Sequence, residues 1–198
     1  QARASHWRED LNEALAVGRQ VGREVVIMAS STGASVVVAA AADDPETMEA
    51  VRGLVLISPN FGVTDPKAAL LHVPAGRYWV PWLAGRQWGF EPQNPRHAQF
   101  WTPDYPSTAL FAMAAISRAA SRADHDSIRQ PVLFYYSEED QIVDGTRTTE
   151  VAQRGGGPVI QASPELGEGM DPNAHIIAGD ILSPEGTVPA AALIVDWI

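Results

Sequence analysis

Cysteine is absent from this chain of 198 residues. Its absence excludes disulfides, thiolate metal sites, cysteine nucleophiles and thiol redox chemistry, and leaves the compartment open. Positive charge is also scarce, with 14 Lys and Arg against 24 Asp and Glu and a formal net charge of -10. The acidic residues are scattered rather than blocked, so the surface repels polyanions and nucleic acid is not an expected partner. No apolar run approaches the roughly 18 residues of a membrane span, because serine, glycine or charge interrupts each one. The chain therefore reads as soluble, with a cytoplasmic location favoured. The start, Gln1-Ala2-Arg3-Ala4-Ser5, has neither an initiating Met nor an apolar signal-type segment, which reads as a processed or truncated beginning. Internal repeats and low-complexity segments are also missing.

What is present is ordinary globular composition, 45% hydrophobic and 19% charged, in a length suited to about one domain. Residues Ser5 to Gly18 place Trp7, Leu11, Ala14, Leu15 and Gly18 at helical spacing, with Arg8, Glu9, Asp10, Asn12 and Glu13 between them; the spacing predicts an amphipathic helix. Apolar runs at Val25 to Ala29, Val51 to Ile57, Pro131 to Tyr136 and Pro158 to Ala162 read as four strands, the last one weaker and following the Gly155-Gly156-Gly157 turn. Buried strands alternating with helices predict an α/β fold, with a mainly parallel sheet in a three-layer α/β/α sandwich.

The most telling stretch is Val25 to Ala40, a buried strand that runs straight into an Ala/Val-rich helix through Ala29-Ser30-Ser31-Thr32-Gly33. It is a variant of the G-x-S-x-G nucleophile elbow, in which a sharp turn needs small residues two before and two after the serine. Ala29 and Gly33 meet that demand around Ser31, whereas around Ser30 the same positions are Met28 and Thr32. Sterics therefore nominate Ser31. Serine and glycine also build ordinary loops after strands, but here strand, turn and helix are all legible together.

Between the second and third strands, residues 61–123 have a different texture. They hold Trp79, Trp82, Trp88 and Trp101 and prolines at 66, 74, 81, 92, 95, 103 and 106, before a helix from Ser107 to Ala120. So long an excursion in a compact domain is usually functional or separately packed. It is expected to be a cap or lid on a core made of residues 1–60 and 124–198. Its aromatics either line an acyl or alkyl pocket or form the cap's own small core.

A serine hydroxyl needs a base, and the base needs an acid to hold its tautomer. On a nucleophile elbow the chain order is serine, acid, histidine. His6 lies in the first helix, His72 and His97 in the cap, and His125 before the third strand. Only His175, in Met170-Asp171-Pro172-Asn173-Ala174-His175, follows the last strand. The loop after the third strand offers Glu138, Glu139, Asp140 and Asp144 as acids. Within it, Tyr136-Ser137-Glu138-Glu139-Asp140-Gln141-Ile142-Val143 resembles the acid loop of the α/β-hydrolase superfamily. With the elbow and His175-Ile176-Ile177, the chain is similar to an esterase or lysophospholipase-like serine hydrolase of that fold. The resemblance implies Asp140 as triad acid and His175 as base.

It also implies the rest of the expected function: hydrolysis of a small-molecule carboxylic ester through a Ser-His-Asp triad and an acyl-enzyme, with no metal or organic cofactor. The alternatives are a thioesterase, a peptidase or a carbon-carbon hydrolase on the same triad, or a truncated hydrolase-like binding protein without catalysis. The backbone N–H of Thr32 supplies one oxyanion-hole donor. Family members carry strands ahead of the elbow strand and an early His-Gly-type loop that gives the second donor, and neither occurs before Val25. The fold is thus expected to be N-terminally incomplete, with Val25 to Ala29 as an apolar sheet edge. That edge calls for cover by the rest of a longer chain, a complementary chain or a homo-oligomer mate.

Overall fold

The computed structural model describes residues 3–198. An amphipathic helix α1 (Ala4–Val21) leads into strand β1 (Val25–Ser30), which passes through a single residue into α2 (Thr32–Asp43). Strand β2 (Val51–Ile57) follows, then a long excursion with a 3-10 turn (Pro66–His72), α3 (Gly76–Ala84), β3 (Gln87–Gly89), α4 (Pro95–Phe100) and β4 (Asp104–Pro106). Helix α5 (Thr108–Arg122) returns the chain to β5 (Val132–Tyr135), after which come α6 (Gly145–Ala152), β6 (Val159–Ala162) and α7 (Pro184–Trp197).

β1, β2, β5 and β6 form one sheet in that order, and every pairing in it is parallel. Parallel neighbours need crossover connections, and the helices that supply them cover both faces. The two-residue period of β2 shows how. Leu54 and Leu56 point into the larger core with α2, Ile116 and Ala120 of α5, and Val151 of α6. Val55 and Ile57 point the other way, toward Ile194 and Leu193 of α7. This is the three-layer α/β/α arrangement expected from the alternation of strands and helices. Helix α2, almost pure Ala and Val, is buried along eight consecutive positions from Ala34 to Ala41.

Three features depart from the sequence reading. The apolar run of β1, taken alone, reads as a buried strand, but none of its residues is buried and Met28 is 57% exposed, because the strand pairs with β2 alone; its place at the sheet edge is the one expected for a fold without strands ahead of it. Helix α5 packs on α2 and shares its core, so the excursion rejoins the body of the domain before residue 123. Helices α6 and α7 were not anticipated, the latter because Pro189 interrupts its pattern.

The excursion has its own antiparallel pair of strands, β3 with β4, joined through α4. Trp88 lies 5.3 Å from Tyr105, and His97 is sandwiched between Phe90 and Trp101 at centroid distances of 5.0 and 4.9 Å. These rings build the segment's own aromatic cluster, while Trp82 is 75% exposed with Arg86 over its ring.

Candidate active site

Ser31 occupies the turn between β1 and α2 with φ 50° and ψ -123°. Such a backbone is uncommon for a residue with a Cβ and persists only where its surroundings enforce it. Here the main chain on both sides is tied down. Ser31 N–H donates to the Ile57 carbonyl (2.9 Å), and the Ser31 carbonyl accepts from Asn60 N–H (3.1 Å). The elbow is thus clamped to the end of β2. The steric argument for its flanks holds only on one side. Ala29 packs against the core, whereas a Cβ added at Gly33 would meet nothing within 4 Å, so the strain sits at Ser31 itself.

Asn60 is the clamp's hub, and sequence reading missed it. Its Nδ2 donates to Thr32 Oγ1 (3.3 Å), its Oδ1 accepts from Gly62 N–H and Ser117 Oγ, and its carbonyl accepts from Ser35 Oγ. One 3% exposed side chain therefore joins the elbow helix, the start of the excursion and α5. The only sequence signal was its place in Ser58-Pro59-Asn60, directly after a strand. Nearby Ser58 has φ 42° and a fully buried hydroxyl without a hydrogen-bond partner among the described residues.

His175 Nε2 lies 3.1 Å from Ser31 Oγ, and His175 Nδ1 lies 2.8 Å from Asp140 Oδ2. A carboxylate only accepts, so Nδ1 carries the proton and Nε2 is left to accept from the serine hydroxyl. Asp140 is held in turn. Its Oδ1 accepts from the N–H groups of Ile142 (2.8 Å) and Val143 (2.9 Å), and its side chain is 1% exposed. Residues far apart in sequence, 31, 140 and 175, are thereby brought into one chain of hydrogen bonds at the carboxyl ends of the strands, where open α/β sheets bind ligands.

The other residues weighed from sequence lie elsewhere. Asp144 accepts from Arg147 N–H at the start of α6 and pairs with the Arg147 side chain at 3.1 Å. Glu138 accepts from Thr149 Oγ1, and Glu139 is exposed. His125 is buried with its Nε2 on the Ala120 carbonyl, and His97 is buried in the aromatic cluster. Ser30 pairs with Ile57 at the end of β1. Thr32 opens α2, so its N–H has no acceptor within the helix. No grouping of three or more His, Asp or Glu suited to a metal occurs among the described residues.

The histidine loop has its own anchor, also unnoticed in the sequence. Asp171, 5% exposed, accepts from the N–H groups of Asn173 (3.1 Å), His175 (3.3 Å) and Ile176 (3.0 Å) and from Gln93 Nε2 (2.9 Å). Burial pushes its carboxyl up, but the bonds from Ile176, Gln93, Asn173 and His175 outweigh it and hold the group below the ordinary 3.8. Through Gln93, and through Asn94 Nδ2 on the Ile181 carbonyl (2.8 Å), the excursion is attached to the loop that carries His175.

Comparison with known proteins is consistent with this fold. A family model described as serine aminopeptidase, S33, matches residues 2–163. No curated protein sequence matches the chain. Among solved structures, one from a pair of metagenome-derived lipolytic enzymes, LipS and LipT, is similar with a TM-score of 0.71 at 16% identity, covering 98% of this chain and 73% of that one. A monoacylglycerol lipase from Paleococcus ferrophilus gives a TM-score of 0.66 at 15% identity, over 99% of this chain and 75% of the other. A soluble variant of the Saccharomyces cerevisiae monoglyceride lipase gives 0.67 at 8% identity, over 98% and 67%. At such identities the likeness concerns the fold. The family match covers well over half the chain and takes in the elbow, the parallel sheet and the Asp140 loop, so the chain belongs to the serine aminopeptidase, S33, family of α/β hydrolases.

Proposed function

We propose that the chain is a serine hydrolase of carboxylic esters working through an acyl-enzyme, with Ser31 as nucleophile, His175 as general base and acid, and Asp140 orienting His175. The observation that carries the reading is the relay from Asp140 Oδ2 to His175 Nδ1 (2.8 Å) and from His175 Nε2 to Ser31 Oγ (3.1 Å). In this reading His175 takes the proton as Ser31 attacks the carbonyl carbon, then returns it to the leaving alcohol. Water repeats the sequence to release the acid. Thr32 N–H, at the head of α2, stabilises the oxyanion. The segment 61–123 acts as a cap, with α5 as its core-embedded base, and its apolar character favours hydrophobic acyl or alcohol groups. The lipolytic enzyme and monoacylglycerol lipases among the structural neighbours support ester substrates.

The family's description as an aminopeptidase favours a second reading, amide hydrolysis on the same three residues. A panel of p-nitrophenyl esters and aminoacyl anilides separates the two. Ester turnover that falls by at least about 10⁴ in Ser31→Ala supports the proposal; full ester activity in that variant removes it.

The free side of β1 belongs to the same proposal. With Met28 57% exposed, the edge presents unpaired backbone groups. A mate supplied by a longer chain, a complementary chain or a second copy completes the sheet and brings the second oxyanion donor. Sedimentation of this 198-residue chain tests it: a stable, monodisperse monomer that hydrolyses esters counts against any need for a mate.

A further inference from the structure

A recess of about 370 Å³ opens beside the candidate active site, and neither Ser31, Asp140 nor His175 lines it. Its rim carries Arg118 and Arg122 of α5, Arg147 of α6 and His72 from the 3-10 turn, against one lining carboxylate, Asp65. Arg118 and Arg122 stand four apart, on one helix face, where like charges repel. Neither forms an ion pair among the described residues, whereas Arg147 pairs with Asp144. In a chain of net charge -10, such a gathering of cations calls for a counter-charge.

The Arg147 side chain passes over Gly62. A Cβ at Gly62 would stand 2.9 Å from Arg147 Cδ and Nη1, so glycine at that position leaves the space that the side chain occupies. Asp144 Oδ2 accepts from Nε at 3.1 Å and leaves the terminal nitrogens free to donate. Burial, followed by the charges of Arg118, Arg122 and Arg147, pushes the His72 imidazole below its ordinary value, so all three guanidinia act on one point. Ser121 adds a hydroxyl to the lining, while Val63, Leu71 and Met113 give it an apolar side.

We propose that this recess binds an organic phosphate monoester, its phosphoryl group gripped by Arg118, Arg122 and Arg147 and its apolar substituent lying on Val63, Leu71 and Met113. Planar guanidinia meet phosphoryl oxygens with paired, charge-assisted hydrogen bonds. The volume exceeds what a lone phosphate needs, and the apolar side gives the remainder its use. The site is separate from the hydrolytic one, yet only one residue away, since Asn60 Nδ2 touches both Met113 Sδ (3.2 Å) and Thr32 Oγ1 (3.3 Å).

Calorimetric titration of the chain with phenyl phosphate tests the proposal. Saturable binding at one site is expected, at least about tenfold tighter than inorganic phosphate, and weakened at least about tenfold in Arg118→Gln/Arg122→Gln. Both side chains are exposed on α5, and circular dichroism verifies the fold; should that variant melt early, Arg147→Gln on α6 makes the same test. Ser31→Ala should bind phenyl phosphate unchanged. Absence of saturable binding, undiminished affinity in the arginine variants, equal affinity for inorganic phosphate, or loss of binding in Ser31→Ala would each overturn the assignment.

Discussion

Replacing Asp171 by Ala removes the group that holds the histidine loop, and the structure gives the size of the effect. Its three shortest bonds, from Gln93 Nε2, Ile176 N–H and Asn173 N–H, lie between 2.9 and 3.1 Å. A hydrogen bond to a charged group is worth about 1.5 kcal/mol net at the lower end, which gives roughly 4.5 kcal/mol for three. Gln93 is exposed and recovers water when released, so the expected loss is about 3 kcal/mol. That is a large share of the ~5–15 kcal/mol that keeps a domain folded. Asp171→Asn keeps the shape but turns an amino group toward one set of donors, so about half the loss is expected. The acid dependence follows from the carboxyl's lowered pKa. The carboxylate contributes fully above its unfolded value near 3.8, and its contribution disappears as pH falls through the lower folded value. Urea denaturation should therefore show the full gap between wild type and Asp171→Ala at neutral pH and a shrinking gap below pH 3.8. Because the His175 N–H loses its acceptor, kcat for ester substrates should fall as well. An Asp171→Ala midpoint equivalent to less than about 0.5 kcal/mol at neutral pH would refute the anchoring argument.

Further outcomes follow from other contacts. Leu54 is fully buried on the α2 side of β2, and Leu54→Ala should cost about 3 kcal/mol in urea denaturation. Gly145→Ala would drive a Cβ to 2.6 Å from the Ser137 carbonyl and 2.8 Å from Glu138 Cα; both are backbone atoms of the Asp140 loop, so kcat should fall with a lesser change in KM. His125 is buried, and burial, together with the Arg154 charge, outweighs its bond to Ala120 and holds it below the ordinary 6.5. Protonation therefore favours the unfolded chain, and stability drops as pH falls below 6.5. His125→Gln should flatten that part of the stability-pH profile measured by thermal melts.

The fold was legible wherever one pattern dominated. The Val51 to Ile57 run became β2 with the same limits, and the Ala/Val run after Ser31 became the most buried helix. Apolar continuity means burial on both faces, and no tertiary detail was needed to see it. For β1 the apolar run alone reads as burial, since its sequence is as apolar as β2's, while the resemblance pointed to the sheet edge where the strand stands, with β2 as its one neighbour. Of the three residues of the relay, Ser31 and His175 were legible from the elbow sterics and the chain order, whereas Asp140 stood among four acids of one loop and was singled out by the resemblance of that loop to the family's acid loop. Asp171 and Asn60 were not legible, since a buried polar residue that ties three elements together has no local periodicity and resembles any loop Asp or Asn. The same holds for the arginine recess, whose members come from a turn and two helices.

Labelling with a fluorophosphonate, followed by mapping of the modified residue, tests the central claim most directly. The account predicts one modified residue, Ser31, with labelling lost in His175→Ala. Folded protein that remains unlabelled, or that is labelled at Ser30 or elsewhere, would contradict it.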